Sequence, residues 1–403
     1  MNPVSILFDH LYHPNADMLT REESVIEWKY HPENEVRHVV LGLGQPGGSW
    51  HHMANSQSTV SLAEWLELPG YSFGEWYEKK KHTLSNLPKV PPAAGIHPHR
   101  TNPYYIGLYY SDYVKYMGLS TNFVDNVHVK SLTQCQTKNN TTEWLVEGVQ
   151  YDDMQGGTPY AINTDNVVLA VGVFNNPKKL EVAGEDFPFV HHHSPDFERI
   201  QTHKCPVVVV GCGLVAADAV LYLMSKQIPV YHVFRRGPKD PNLVVNQLSS
   251  AYGDYLKLKS LIQSKSKNEY YTPFPQHKIA EILPNKEVLI EPCGRKMSGA
   301  SFKVKVSRVI INVGSAPNLN FIKDAYLLRE EPEEEFNIKT NPLNVDLITY
   351  ESNLKKGLFA MGPLVGDNFV RFISGGAMGI THGLFKNEAA YEISEASKQM
   401  VLT

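Results

Sequence analysis

The stretch "CPVVVVGCGLVAADAVLYLMSKQIPVYHVFRR", residues 205–236, constrains the fold of this chain more than any other. Val207 to Val210 form an unbroken apolar run, the pattern of a strand buried on both faces in a parallel sheet. Gly211, Gly213 and Ala216 follow in G-x-G-x-x-A spacing. The segment "LVAADAVLYLMSK" keeps apolar residues on one face at helical spacing and holds neither Gly nor Pro, which predicts a helix. "IPVYHVF" supplies the next strand. Strand, glycine turn, helix and strand together spell a complete dinucleotide-binding unit.

The chemistry of such a unit is close approach. One glycine makes the tight turn, a second lets the backbone near a pyrophosphate, and a small third residue lets the helix pack on the strand. The helix N-terminus adds free N–H groups and a positive dipole end. Roughly 20 residues further on, NAD-binding units place Asp or Glu against the ribose hydroxyls. This chain has Arg235 and Arg236 there, and two guanidiniums suit the extra 2′-phosphate of NADPH. The expected cofactor is therefore NADPH. Cys212, inside the turn, reads as a small residue near the phosphates and not as a nucleophile.

A similar spelling occurs earlier, in "LGLGQPGGSWHHM" at residues 41–53, with Gly42, Gly44 and Gly47 behind the apolar "HVVL". Its continuation, "SWHHMANSQSTVSLAEWLELPGYSFGEW", has no small-residue helical seam, no second strand and no residue placed for a ribose. The spelling lacks the context that gives it meaning, so it does not predict a complete dinucleotide turn.

Composition narrows the remaining classes. With 403 residues, 42% of them hydrophobic and 20% charged, the chain has the profile of a soluble globular protein of two domains or one large one. A net charge of -4 without a basic block argues against a nucleic-acid partner. No run approaches the roughly 18 apolar residues of a membrane span, and "MNPVSILFDHLYHPNAD" matches no signal or transit peptide. The expected location is cytoplasmic, with mitochondrial association or nuclear entry left open. Four cysteines, at 135, 205, 212 and 293, form no C-x-x-C pair, which disfavours both a disulfide framework and a dithiol redox centre. The tandem sequons at Asn139 and Asn140 are then not expected to be glycosylated. The acidic run "REEPEEEF" at 329–336 reads as a solvated loop.

Several phrases carry a family resemblance. G-G-x-W at Gly47, Gly48 and Trp50 resembles the segment that passes the isoalloxazine in flavin-containing monooxygenases and related two-dinucleotide flavoproteins. "VVLAVGVFNNPKKLEVAGED" at 167–186 is similar to their A-T-G-x-x-x-x-P link, with Val171 in place of Thr, and "RVIINVGSAPNLNFI" at 308–322 to the returning link. "GLFAMGPLVGDNFVRFISGGAMGI" at 357–380 resembles their last flavin motif. The phrases "NPVSILFDHL", "PGGSWH", "GEDFPFVHHH", "GLVAADAVLY", "HVFRRGPKDPNLVVNQL" and "MGPLVGDNFVRFISGGA", in that order, resemble the oxidative stress-induced growth inhibitor family, a branch of these flavoproteins.

The resemblance implies an α/β fold with two Rossmann-like domains, FAD and NADPH as cofactors, and a link to oxidative stress, growth restraint and cell death. It places an NADPH domain over 196–315 inside a FAD domain made from 1–190 and 316–403, with crossings near Gly172 and Gly314. Gly47, Gly48 and Trp50 would border the flavin. Gly362, Asp367, Gly375, Gly376 and Ala377 would cap its ribityl and pyrimidine end. Two departures stand beside this. The family's first βαβ unit, which carries the FAD pyrophosphate loop, precedes the phrases matched here, so the expected FAD domain lacks that loop. The monooxygenase fingerprint F-x-G-x-x-x-H keeps Phe187 and a histidine cluster but no glycine.

Other constellations carry less. His191, His192 and His193 are adjacent, so they point in different directions and do not converge on one metal ion. His51 and His52 follow Trp50 and read as packing or surface residues, with a proton shuttle as the sharper alternative. "YYIGLYYSDYVKYMGL" at 104–119 reads as an aromatic core helix. Residues 240–266 read as a helical insertion, where such folds shape a substrate cleft. The implied reaction is hydride transfer from NADPH to FAD and then oxygen transfer to a substrate, with no catalytic side chain identified. A regulatory protein that keeps the scaffold without turnover is the alternative, and a disulfide reductase is disfavoured by the cysteine spacing.

Overall fold

The computed structural model describes residues 2–18, 22–54, 57–84, 100–136, 142–152, 156–193, 205–248, 252–264, 268–294 and 299–386. Asn139, Asn140 and the expected boundary at 196 lie outside them. In chain order the elements begin with α1 (Pro3–Tyr12), β1 (Val40–Leu41), α2 (Phe73–Leu84), α3 (Pro103–Tyr116) and β2 (Phe123–Val124). β3 (Val127–Gln136), β4 (Thr142–Asp152), β5 (Gly156–Thr164), β6 (Val167–Leu169) and β7 (Val190–His191) follow. Then come β8 (Val207–Val210), α4 (Leu214–Ser225), β9 (Val230–Phe234), α5 (Val244–Gln247), α6 (Gly253–Gln263) and β10 (Tyr271–Pro275). β11 (His277–Ile282), β12 (Glu287–Pro292), β13 (Phe302–Lys305), β14 (Arg308–Ile311) and β15 (Leu358–Ala360) complete the labelled set, and residues 373–386 are helical.

The apolar run at Val207–Val210 becomes the centre of a five-stranded sheet ordered β10-β9-β8-β14-β7, in which every neighbour is parallel. Each of its four valines is at most 5% exposed, because both faces of the strand are covered. Val207 and Val209 face α4 and α6, in one core with Ala216, Ala219, Leu223, Leu258 and Ile262. Val208 and Val210 face the antiparallel meander β11-β12-β13, in a second core with Ile279, Ile282, Val288 and Ile290. Burying one such side chain fully is worth about 1.5–3 kcal/mol, so this strand stabilises two layers at once. Alanines at 216, 217 and 219 let α4 lie close to the sheet.

The rest of the molecule is built from smaller pieces. β1 pairs in parallel with β2, β6 pairs in parallel with β15, and β3-β4-β5 form an antiparallel meander. Leu132, Trp144, Leu169, Tyr350 and Phe359 knit the meander to the β6–β15 pair in one core. The aromatic segment at 104–119 forms α3, whose Ile106 and Tyr109 are fully buried against Leu66, Phe73 and Trp76. Asn102 caps α3 by accepting the Tyr104 backbone N–H at 2.8 Å. In the acidic run at 329–336 every glutamate is exposed, and Arg329, Pro332 and Phe336 are half-buried.

Candidate dinucleotide and flavin sites

The turn after β8 has two glycines with different jobs. Gly211 sits at φ +124°, and a Cβ there would lie 2.1 Å from the Asn312 carbonyl oxygen at the end of β14. Only glycine lets the two strand ends meet so closely. Gly213 is the N-cap of α4 at φ -83°, and a Cβ there would meet nothing within 4 Å. The first glycine therefore serves the protein's own packing, and the second leaves open space above a helix N-terminus. That terminus has no side-chain cap and no acidic residue in its first turn. Ala216, fully buried, is the small residue that seats α4 on the sheet.

Arg235 and Arg236 leave the end of β9 exposed to solvent. Arg236 Nη1 lies 3.2 Å from Asp240 Oδ2, a partly exposed pair that holds the guanidinium in place more than it stabilises the fold. Burial raises the Cys212 thiol above its ordinary pKa while Arg236 and Arg235 pull it down, which puts both guanidiniums beside the glycine turn. The space over Gly213, the uncapped helix end and the two cations fit a phosphorylated dinucleotide.

His232 was not singled out by sequence, where it is one more residue of an apolar strand. It is 2% exposed, its Nε2 lies 2.7 Å from the Gly211 carbonyl oxygen and its Nδ1 lies 2.9 Å from Tyr271 OH. Burial lowers its pKa to about 4, so the ring is neutral. Nε2–H then donates to Gly211, and Nδ1 accepts from Tyr271.

A buried polar group ties α4 to an earlier part of the chain. Tyr255 OH donates to Asp218 Oδ1 at 2.7 Å, and Arg100 Nη2 donates to Tyr255 OH at 3.2 Å. Arg100 also donates through Nε to the Thr59 carbonyl and lies over the rings of Tyr252 and Tyr255. Desolvation raises the Asp218 pKa to about 7, against the opposing Tyr255 hydrogen bond and the Arg100 charge.

The residues expected around a flavin fall into two clusters. Gly47 and Gly48 both have positive φ and open a 3-10 turn, Gly48–His52, rather than an α-helix. A Cβ on Gly47 would lie 2.7 Å from the Gly107 carbonyl of α3, so this glycine is a seat for α3. His51 Nε2 lies 2.9 Å from the Pro46 carbonyl and 3.2 Å from Ser111 Oγ, which gives it a packing role in that seat. Trp50 meets Tyr110 edge-on, with centroids 6.4 Å apart. Val370 packs against the same core as Trp50, and this brings the first cluster beside the second.

In the second cluster Gly362 follows β15 at φ +66°, and Asp367 is 1% exposed. Asp367 Oδ1 accepts the Asn2 backbone N–H at 3.0 Å, while Oδ2 has Ser5 Oγ at 2.7 Å, Tyr350 OH at 2.9 Å and Asn2 Nδ2 at 3.4 Å. A Cβ on Gly375 would lie 2.6 Å from Ser5 Cα, and one on Gly376 would lie 3.3 Å from the Tyr350 ring. Ala377 is exposed. The exposed, open face at Gly48 suits a cofactor, whereas Gly362 is buried with Ile373 3.9 Å from where a Cβ would lie, and the acidic anchor does not present a free carboxylate to one.

The histidines at 191–193 are dispersed in role. His192 Nδ1 lies 3.7 Å from Glu185 Oε1, and His193 stacks on Phe174 at 4.8 Å. Desolvation lowers the pKa of His191 and of His193. Among the described residues no His, Cys, Asp and Glu group could hold a metal ion, all four cysteines are free, and no helix is long and apolar enough to cross a membrane.

Residues 155–362 match the pyridine nucleotide-disulphide oxidoreductase family. Oxidative stress-induced growth inhibitor 2 of Homo sapiens is 36% identical over 95% of this chain and 80% of its own length. Among solved structures, bacillithiol disulfide reductase from Bacillus cereus aligns with a TM-score of 0.63 at 16% identity, over 87% of this chain and 92% of its own. Ornithine hydroxylase from Pseudomonas aeruginosa aligns with a TM-score of 0.57 at 12% identity, over 95% and 96%. These two share the fold, an α/β flavoprotein architecture with Rossmann-like domains. The chain belongs to the oxidative stress-induced growth inhibitor family, a branch of the flavoprotein oxidoreductases.

Proposed function

We propose that this chain is an NADPH-binding oxidoreductase of the monooxygenase-like type, whose dinucleotide domain spans 196–315 between FAD-domain parts at 1–190 and 316–403. Gly211, Gly213 and Ala216 form the pyrophosphate cradle, and Arg235 and Arg236 clamp the 2′-phosphate. The observation that carries the reading is the open space over Gly213 at an uncapped α4 terminus, with two exposed guanidiniums beside the same turn. When bound, the dinucleotide supplies a hydride. The chain's own residues bind and orient it: His232 fixes the Gly211 carbonyl, and the α4 N–H groups and the two arginines hold the phosphates.

Gly47, Gly48, Trp50, Gly362, Gly375, Gly376 and Ala377 border the region assigned to FAD, with Asp367 as its acidic anchor. That anchor is engaged by Asn2, Ser5 and Tyr350, so in this arrangement its carboxylate does not fit a flavin. The same engagement favours a second reading, a regulatory scaffold that binds NADPH without turnover. The names of its relatives support a link of either role to oxidative stress and growth restraint, and the setting that goes with this reading is cytoplasmic. Purified protein should bind NADPH in preference to NADH, and with added FAD it should consume NADPH. Binding without consumption selects the scaffold reading, and absence of NADPH binding rejects both.

A further inference from the structure

Helix α1 buries polar residues while leaving its two leucines in solvent. Its Leu7 and Leu11 are 62% and 41% exposed, while the polar residues Asn2, Ser5 and Asp9 are 5%, 0% and 2% exposed. Residues spaced three and four apart share a helix face, so Ser5 and Asp9 lie together on the buried side, beside the buried Phe8 and in line with the N-cap Asn2. Buried polar groups are tolerated only when paired, and each of these has a partner in the segment 365–372, Asp9 also meeting His13 Nδ1 at 3.0 Å and Ser5 also meeting Tyr350 OH. Asn2 and Ser5 meet Asp367, Asn2 Nδ2 also reaches the Val365 carbonyl at 3.3 Å, and Ser5 Oγ lies 2.9 Å from the Phe372 carbonyl. Asp9 Oδ2 lies 3.5 Å from Arg371 Nε, and Arg371 also donates to Asp17.

We propose that α1 is a latch on the flavin anchor: its Asn2–Ser5–Asp9 face holds Asp367 and Arg371, and a flavin loads only when that face lets go. The inference rests on the assignment of Asp367 and Gly375 to the flavin region. A carboxylate offers about four acceptor sites. Asp367 Oδ2 already has three donors around it, Oδ1 takes the Asn2 N–H, and almost none of the residue reaches solvent. A sugar-chain hydroxyl can reach this carboxylate only by replacing Asn2 or Ser5. The surface over Gly375 is filled as well, since the Ser5 backbone stands where a cofactor would approach the glycine. Tyr350 comes from the body of the domain and is buried there, so it stays with Asp367 when α1 leaves.

The test is FAD titration of the full chain and of the double variant Asn2→Ala, Ser5→Ala, followed by quenching of flavin fluorescence. Hydrogen exchange of amides 4–12 in the unaltered protein is recorded with and without saturating FAD. The latch requires the variant to bind FAD at least ten-fold more tightly, and FAD to speed exchange in α1 of the unaltered chain. Equal affinities with α1 still protected overturn it. Absence of FAD binding in both proteins, with NADPH still bound, overturns the latch and leaves the dinucleotide reading standing. If the variant does not fold, exchange in the unaltered chain decides, and unchanged α1 protection counts against the latch.

Discussion

His232 Nε2 lies 2.7 Å from the Gly211 carbonyl oxygen, so a side chain buried in β9 sets the turn that a dinucleotide would touch. Replacing it with Leu orphans both the Gly211 carbonyl and the Tyr271 hydroxyl, at about 1–3 kcal/mol for each buried group left unpaired. His232→Gln keeps a donor and an acceptor and should recover part of the loss in NADPH affinity. The pH dependence has a definite sign. The folded pKa, about 4, lies below the ordinary value of 6.5, so the stability of the neutral ring is complete above pH 6.5 and is lost as pH falls through 4. That loss amounts to about 3 kcal/mol at its limit. Denaturant titrations at neutral and acid pH should therefore show the difference between the parent and His232→Gln shrinking in acid.

Gly211 and Gly213 should separate folding from binding. Gly211→Ala puts a Cβ 2.1 Å from the Asn312 carbonyl at a positive φ, and should cost several kcal/mol in stability. Gly213→Val enters open space at φ -83° and should cost only the helix's preference for Gly over Val at its N-cap, about 1 kcal/mol, less than Gly211→Ala. Its branched side chain fills the cradle, so NADPH binding should weaken more than ten-fold. Equal thermal losses for the two variants would remove the distinction.

How legible these sites were follows from how local they are. The unit from Val207 to Arg236 could be read directly, because its turn, helix and strands contact one another within one continuous stretch. Arg235 and Arg236 were legible for the same reason. The flavin side was legible only as spelling. Gly47 looks like a cofactor glycine, yet its close neighbour is Gly107, and Gly375 looks like one too, yet it accommodates Ser5. Nothing in the order of residues says that Asp367 will find its donors at Asn2 and Ser5, more than 360 positions away. His232 was missed because its neighbours in sequence are apolar, and its meaning comes from Gly211 and Tyr271 on adjoining strands.

Asp218 should titrate against the fold in the opposite direction to His232. Its folded pKa, about 7, is raised above the ordinary 3.8, so the stability linked to it is complete below pH 3.8 and is lost as pH rises through 7. The groups facing it are Tyr255, Arg100, Asp254 and the Ser58 backbone. Asp218→Asn should gain stability relative to the parent between pH 5 and pH 8, read as a rising difference in melting temperature. A constant difference across that range would contradict the assignment.

The central claim is that the turn at Gly211–Gly213 and the arginines at its edge form an NADPH site. Fluorescence titration of NADPH and NADH against the parent chain and Arg235→Ala, Arg236→Ala tests it most directly. The account predicts that the double variant loses NADPH affinity more than ten-fold while NADH affinity changes by less than about two-fold, since only the 2′-phosphate has lost its partners. Equal losses for the two dinucleotides, or no loss for either, would contradict it.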